Sequence, residues 1–157
     1  MNVRKQTLWR VPAYCLITSC LSFYVTVYLG DAFFMVRTMD ESGLLTTNVN
    51  IVRYVLFNSA LFLIVLLLGG LWAFRSMTRV EIAVSAGIMT VVYLIILGIQ
   101  MSLPQFPTAT FLIAIFQTWP GILSHLLALV TGPHILLAVT CFLAPLLFIP
   151  FGRKQVQ

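Results

Sequence analysis

Charged and amide side chains beside long apolar runs are the residues of this sequence best suited to chemistry. Asp31 follows the first apolar run and Arg53 begins the second, so the two side chains would lie at similar depth in neighbouring helices. Tyr54 and Asn58 are four residues apart, which places them on one face of a helix. The sequence therefore predicts an outer polar cluster of Asp31, Arg53, Tyr54 and Asn58.

Two roles are open for this cluster. An Asp–Arg pair often holds adjacent helix ends together, and an arginine can extend its head group to water, so pinning of the helices is the favoured role of Asp31 and Arg53. An asparagine in an apolar helix more often hydrogen-bonds a neighbouring helix, contributing about 1 kcal/mol, than binds a substrate. A ligand or proton site is the alternative for the same residues.

The histidines and cysteines predict no metal, cofactor or catalytic site. His125 and His134 are nine residues apart with no carboxylate nearby in the sequence, whereas a helical metal pair uses a spacing of four. Three cysteines lie inside apolar runs without a Cys-x-x-Cys pair, and they are interpreted as small apolar residues. The sequence also lacks the motifs of nucleophile elbows and phosphate loops, so no enzyme is expected.

Composition indicates that lipid, and not water, surrounds most of the chain. Of the 157 residues, 61% are apolar and 8% are charged, and the mean hydropathy is +1.04. Soluble domains carry about a quarter of their residues as charged side chains. The net charge of +5 comes from basic residues that flank apolar runs, so the expected partner is the lipid bilayer and no nucleic acid is expected.

The apolar runs predict one all-α integral membrane domain over residues 1–157. A span needs about twenty apolar residues, and four runs are assigned as a four-helix transmembrane bundle. The spans cover about 11–30, 52–74, 82–103 and 133–151. Residues 109–130 are expected to be interfacial or re-entrant, because Trp119-Pro120-Gly121 interrupts that run. A bundle of five transmembrane helices is the alternative.

The distribution of basic residues favours four spans with both termini in the cytoplasm. Basic residues concentrate in cytoplasmic loops. Four spans leave two basic residues, Arg37 and Arg53, outside, whereas a fifth span would also move Arg153 and Lys154 there. The expected location is a bacterial cytoplasmic membrane.

Several local patterns add detail to the predicted bundle. Residues 31–50 form the one sizeable polar loop of the sequence, interpreted as turn and cap material. Glu81 is expected to neutralise the inner loop or to favour the start of the third helix. Trp9, Trp72 and Trp119 are interpreted as an interfacial aromatic belt. A four-residue row on the first span predicts a packing seam, formed by Tyr14, Thr18, Ser22, Thr26 and Gly30.

Two functions are consistent with these features. The first is an accessory, regulatory or scaffold subunit that acts through helix–helix contacts with other membrane proteins or with a second copy. The alternative is a small oligomeric transporter or channel with an outer polar entry site. No small-molecule ligand is identified by the sequence. A cavity that extends from Asn58 towards the membrane centre would favour the transporter, and tight apolar packing around Asn58 would remove its best support.

Overall fold

The described part of the chain is mostly helical and contains one small β-hairpin. The structure is a computed structural model, and it describes residues 7–39, 43, 45–102, 107–132 and 141–153. In chain order its elements are α1 (Arg10–Phe33), β1 (Met35–Met39), β2 (Leu45–Val49), α2 (Ile51–Leu68), a π-helical turn (Gly69–Ala73), α3 (Arg79–Ser102), α4 (Pro107–Ile115), α5 (Thr118–Thr131) and a 3₁₀ helix (Ala144–Phe151).

Three helices in the described part of the chain are long and apolar enough to cross a membrane. They comprise Arg10–Gly30, Ile51–Ala73 and Arg79–Ser102, with 21, 23 and 24 residues. At 1.5 Å per residue each covers the hydrocarbon thickness of about 30 Å. Large apolar side chains on these helices are exposed, which suits contact with lipid. The three helices indicate a membrane protein and correspond to the first three predicted spans.

The described end of the last predicted span, which was assigned to residues 133–151, is not a long α-helix. Its described part consists of a turn followed by the 3₁₀ helix Ala144–Phe151, and residues 133–140 lie outside the described residues. Pro145 and Pro150 lack the amide protons that an α-helical ladder would need. The prolines therefore explain why the described end of this run is not an α-helix.

Residues 31–50, which the sequence predicted to be a polar loop of turns and caps, contain a β-hairpin. The strands β1 and β2 are antiparallel, with Met35 opposite Val49 and Thr38 opposite Thr46. The Asn50 backbone amide donates to the carbonyl oxygen of Phe34 at 2.8 Å, so the hairpin connects the end of α1 to the start of α2. This end of the molecule is called the hairpin end.

The opposite end collects basic residues and is called the basic end. Arg10 of α1 donates to the Ser76 hydroxyl at 2.9 Å, in the link between α2 and α3. The Arg153 amide donates to the carbonyl oxygen of Met77 at 3.0 Å, and the Arg79 amide donates to the carbonyl oxygen of Arg153 at 3.2 Å. The chain beyond the 3₁₀ helix thus returns to the end at which α1 begins.

Helix α4 runs from the hairpin end into the bundle, and helix α5 runs back towards the hairpin end. Near the hairpin end, the Gln100 side chain of α3 donates to the carbonyl oxygen of Thr110 in α4 at 3.5 Å. The chain then descends to Trp119, which stacks on Phe62 halfway along α2. Helix α5 packs against α1 and α2, and its later residues approach Tyr54, so it runs towards the hairpin end.

The core lies where the 3₁₀ helix packs on α3 and on the aromatic residues of α1 and α2. Helix α3 packs most extensively against the 3₁₀ helix. The Phe148 ring contacts Tyr14 and Phe74 edge-on at centroid distances of 5.8 and 4.9 Å. Such rings contribute apolar burial and favourable edge-to-face geometry. The core therefore fills the half of the bundle nearest the basic end.

Candidate functional site: a polar cavity near the hairpin end

A cavity of about 410 Å³ is lined by residues of all five α-helices, on the side towards the hairpin end. It is called the polar cavity. Its polar lining comprises Thr26, Tyr54, Asn58, Gln117, Thr118, Ser124 and His125, and the rest comprises Leu97, Ala114, Gly121, Ile122, Cys141 and Phe142. Among these residues there is no carboxylate, lysine or arginine. The polar cavity therefore offers hydrogen-bonding groups without a fixed charge.

Two side chains of the polar cavity carry buried polar atoms with no hydrogen-bond partner in the described part of the chain. They are the Thr26 hydroxyl oxygen and the Gln117 amide nitrogen. Leaving such a buried group without a partner costs about 1–3 kcal/mol. Because native structures rarely retain that cost, these two atoms point to a bound polar molecule or water.

Three other polar side chains of the cavity donate to backbone carbonyl oxygens three or four residues earlier in the chain. The Asn58 amide donates to the Tyr54 carbonyl oxygen at 2.9 Å, the Ser124 hydroxyl to Gly121 at 2.9 Å, and the Thr118 hydroxyl to Ile115 at 2.9 Å. A hydroxyl that has donated its proton retains lone pairs and acts as an acceptor. The polar cavity thus combines hydroxyl acceptors with the unused donor of Gln117.

A polar track continues from the cavity into the bundle along α1. Ser22 and Ser19 lie one and two turns deeper than Thr26 and are both buried; the Ser22 hydroxyl lacks a partner among the described residues, whereas the Ser19 hydroxyl meets Tyr93. At 1.5 Å per residue, this track is about 10 Å long. Its deep end meets α3, where the Tyr93 hydroxyl lies close to Ser19 and Cys15. Helix α1 packs against α3 and α5, as expected for a packing seam. The same face of α1 also carries the hydroxyl side chains of the polar track.

An aromatic stack closes the bundle on the side of the polar cavity nearest the basic end. The Trp119 ring stacks on Phe62 at a centroid distance of 5.2 Å and on Phe148 at 5.4 Å, with interplanar angles of 7° and 19°. Trp119 is 0% exposed, so its assignment to the interfacial aromatic belt was wrong. The tryptophan instead belongs to the buried core.

The predicted outer polar cluster divides between two surfaces. Tyr54 and Asn58 both line the polar cavity, whereas Arg53 lines an apolar groove between α1 and α2. Consecutive helical residues point about 100° apart, which separates Arg53 from Tyr54. The side chain of Asp31 lies outside the described residues, so its pairing with Arg53 stays a prediction.

Sequence reasoning did not assign Thr26, Gln117 or Ser124 to a site. Thr26 belongs to the row predicted as a packing seam, and Gln117 lies two residues before Trp119-Pro120-Gly121 in the run 109–130. The usable signal was the amide of Gln117 inside an apolar run, because an amide in hydrocarbon requires partners. His125 lines the polar cavity as well, whereas His134 lies outside the described residues.

No known protein family, curated protein or solved structure matches the chain. The function is therefore argued from the polar cavity and its position in the bundle.

Proposed function

We propose that this chain is a small membrane transporter or channel that binds an uncharged polar solute in the polar cavity. The observation that carries the proposal is the pair of buried, unpartnered groups on Thr26 and Gln117 that line the cavity. Asn58 also lines this cavity, so it is not enclosed solely by the apolar side chains that would have removed the support for a transporter. Deeper along α1, the buried hydroxyls of Ser22 and Ser19 add polar groups between the polar cavity and the middle of the bundle.

The chemistry of the lining defines the solute class. A volume of about 410 Å³ lies at the small end of ligand pockets, which span roughly 300–1,000 Å³. A lining without fixed charge does not compensate an ion for lost hydration. Hydroxyl acceptors and an amide donor suit a molecule that both donates and accepts hydrogen bonds. The proposed solutes are therefore small polyols, urea and simple amides.

The proposed topology has four crossings, with α4 and α5 as a re-entrant pair. Helices α1, α2 and α3 supply three crossings, and the chain from 133 to 151 supplies the fourth. The collection of basic residues at one end supports a cytoplasmic location for both termini. The α4–α5 pair then enters from the outer side, and the polar cavity becomes an outward-facing entry site in a bacterial cytoplasmic membrane.

Solute-driven swelling of proteoliposomes tests the proposal. Vesicles containing the protein are mixed rapidly with glycerol or urea, and light scattering reports solute entry. Wild type should swell faster than protein-free vesicles, and Gln117→Leu and Thr26→Val should return towards the protein-free rate. Thr131→Val is the matched control, because Thr131 is exposed and bonds its own helix. Swelling that both cavity variants leave unchanged would contradict the proposal.

A second candidate is the accessory or scaffold subunit, favoured by a specific face of α3. Gly98 is exposed, and a Cβ built there would meet no atom within 4 Å, so another helix has room to approach closely. Neighbouring Leu94 and Ile95 are exposed apolar residues on the same helix. Vesicles that do not swell with either solute would favour this second function.

A further inference from the structure

A second concave surface lies on a different face of α2 from the polar cavity. This surface, called the apolar groove, has a volume of about 810 Å³ and runs between α1 and α2. Its lining comprises Val25, Leu29, Ala32, Phe33, Arg53, Leu56, Phe57, Ala60, Leu61 and Ile64. Leu29, Leu56 and Ile64 are about half exposed, so the groove lies on the outer surface of the bundle.

Arg53 gives the apolar groove a charged end. It is the one charged side chain of the lining, and it lies in the first turn of α2, at the hairpin end. The first turn of α2 contains no acidic residue, so the positive end of the helix dipole adds to the charge of Arg53. From Arg53 to Ile64 the groove is apolar over eleven residues, or about 16 Å.

We propose that the apolar groove binds an anionic phospholipid, with the phosphate on Arg53 and one acyl chain along the groove. A guanidinium matches a phosphate through paired hydrogen bonds, and the apolar walls match hydrocarbon. The position of Arg53 near the end of a spanning helix places it at headgroup depth. A cation at one end of a long apolar groove thus complements a lipid with a negative head and an apolar tail.

This inference is independent of the proposed transport function. The apolar groove and the polar cavity share no lining residue. The test of lipid binding can therefore fail while the test of solute transport succeeds, and the reverse.

Electron paramagnetic resonance with spin-labelled lipids tests the charged end of the groove. The protein is reconstituted in phosphatidylcholine, and the immobilised fraction of labelled phosphatidylglycerol is compared with that of labelled phosphatidylcholine. Wild type should favour phosphatidylglycerol, and Arg53→Gln should lower that preference about fivefold. Arg75→Gln, at the basic end, is the matched control. Equal preference in Arg53→Gln and wild type would overturn the proposal, because Arg53 would then serve another partner, such as Asp31.

A second variant tests the apolar part of the groove without changing its charge. Ala60→Phe should fill the groove and reduce the immobilised phosphatidylglycerol. Ala13→Phe is the control, because Ala13 is exposed on α1 outside the groove. Both variants are compared by thermal unfolding to establish that they are folded. If Ala60→Phe binds as much lipid as Ala13→Phe, the groove does not hold the acyl chain and the proposal is overturned.

Discussion

Glu81 illustrates how single residues set the boundaries of the helices. Its carboxylate accepts from the Thr78 amide at 2.9 Å, and the Thr78 hydroxyl accepts from the Glu81 amide at 3.3 Å. This reciprocal pair is a capping box at the start of α3. At the start of α2, Asn50 likewise accepts from the Arg53 amide at 3.1 Å. Residue type and spacing account for both caps, although for Glu81 the sequence analysis left neutralisation of the inner loop open as an alternative.

Removal of the Glu81 side chain should destabilise the start of α3. Glu81→Ala is expected to lower the free energy of unfolding by about 1 kcal/mol, because the Thr78 amide loses its acceptor. Glu81→Gln, the matched control, keeps an acceptor oxygen and should retain most of the stability. Thermal unfolding in detergent measures the difference. Equal melting temperatures for wild type and Glu81→Ala would show that the cap does not contribute.

The polar cavity was only partly predictable at the residue scale. The helical spacing of Tyr54 and Asn58 places them together, and both do line the cavity. Thr26 and Gln117 are 91 positions apart in the sequence. Their meeting depends on how α1 packs against the α4–α5 pair, which no local spacing encodes.

Among the elements, helices and irregular segments differ in how well the sequence predicted them. The three long helices follow from uninterrupted apolar length, since a run of about twenty residues has few alternatives in lipid. The β-hairpin was missed because its strands are five residues each and mostly exposed, so they lack a buried alternating pattern. The 3₁₀ helix replaces an expected α-helix at a run that contains Pro145 and Pro150.

Trp119 should be the main attachment of the α4–α5 pair to the rest of the bundle. Trp119→Ala removes a fully buried ring from a stack of three and should cost about 3–5 kcal/mol of unfolding free energy. Trp72→Ala is the matched control, since Trp72 is 84% exposed. Thermal unfolding of both variants in the same detergent checks the prediction. A loss in Trp119→Ala no greater than in Trp72→Ala would contradict this role.

At the scale of the whole molecule, polar and apolar groups are arranged in three zones. The basic end gathers Arg10, Arg79 and Arg153, the middle holds the aromatic core, and the polar cavity lies beyond it towards the hairpin end. Whether the first zone faces the cytoplasm, as the charge distribution predicts, stays a prediction. The polar cavity required tertiary information, because the break at Trp119-Pro120-Gly121 did not reveal which side chains would face inward.

Access of water to the polar cavity is the physical condition for its proposed function. Solute can enter from the hairpin face only if water reaches Ser124, whereas the stack around Trp119 blocks approach from the basic face. A thiol at position 124 would report this directly, because thiol reagents attack the thiolate that forms in water and not in hydrocarbon. Thr47→Cys and Ser76→Cys, both exposed, mark the hairpin and basic faces.

Side-specific labelling of Ser124→Cys in proteoliposomes is therefore the decisive measurement. The variant is made without the native cysteines, and a charged, membrane-impermeant thiol reagent is applied to each face in turn. Position 124 should react from the same face as Thr47→Cys, while the lipid-facing control Ala60→Cys stays unreactive. Failure of position 124 to react from that face, or reaction from the Ser76→Cys face alone, would contradict a polar cavity that fills from the hairpin end.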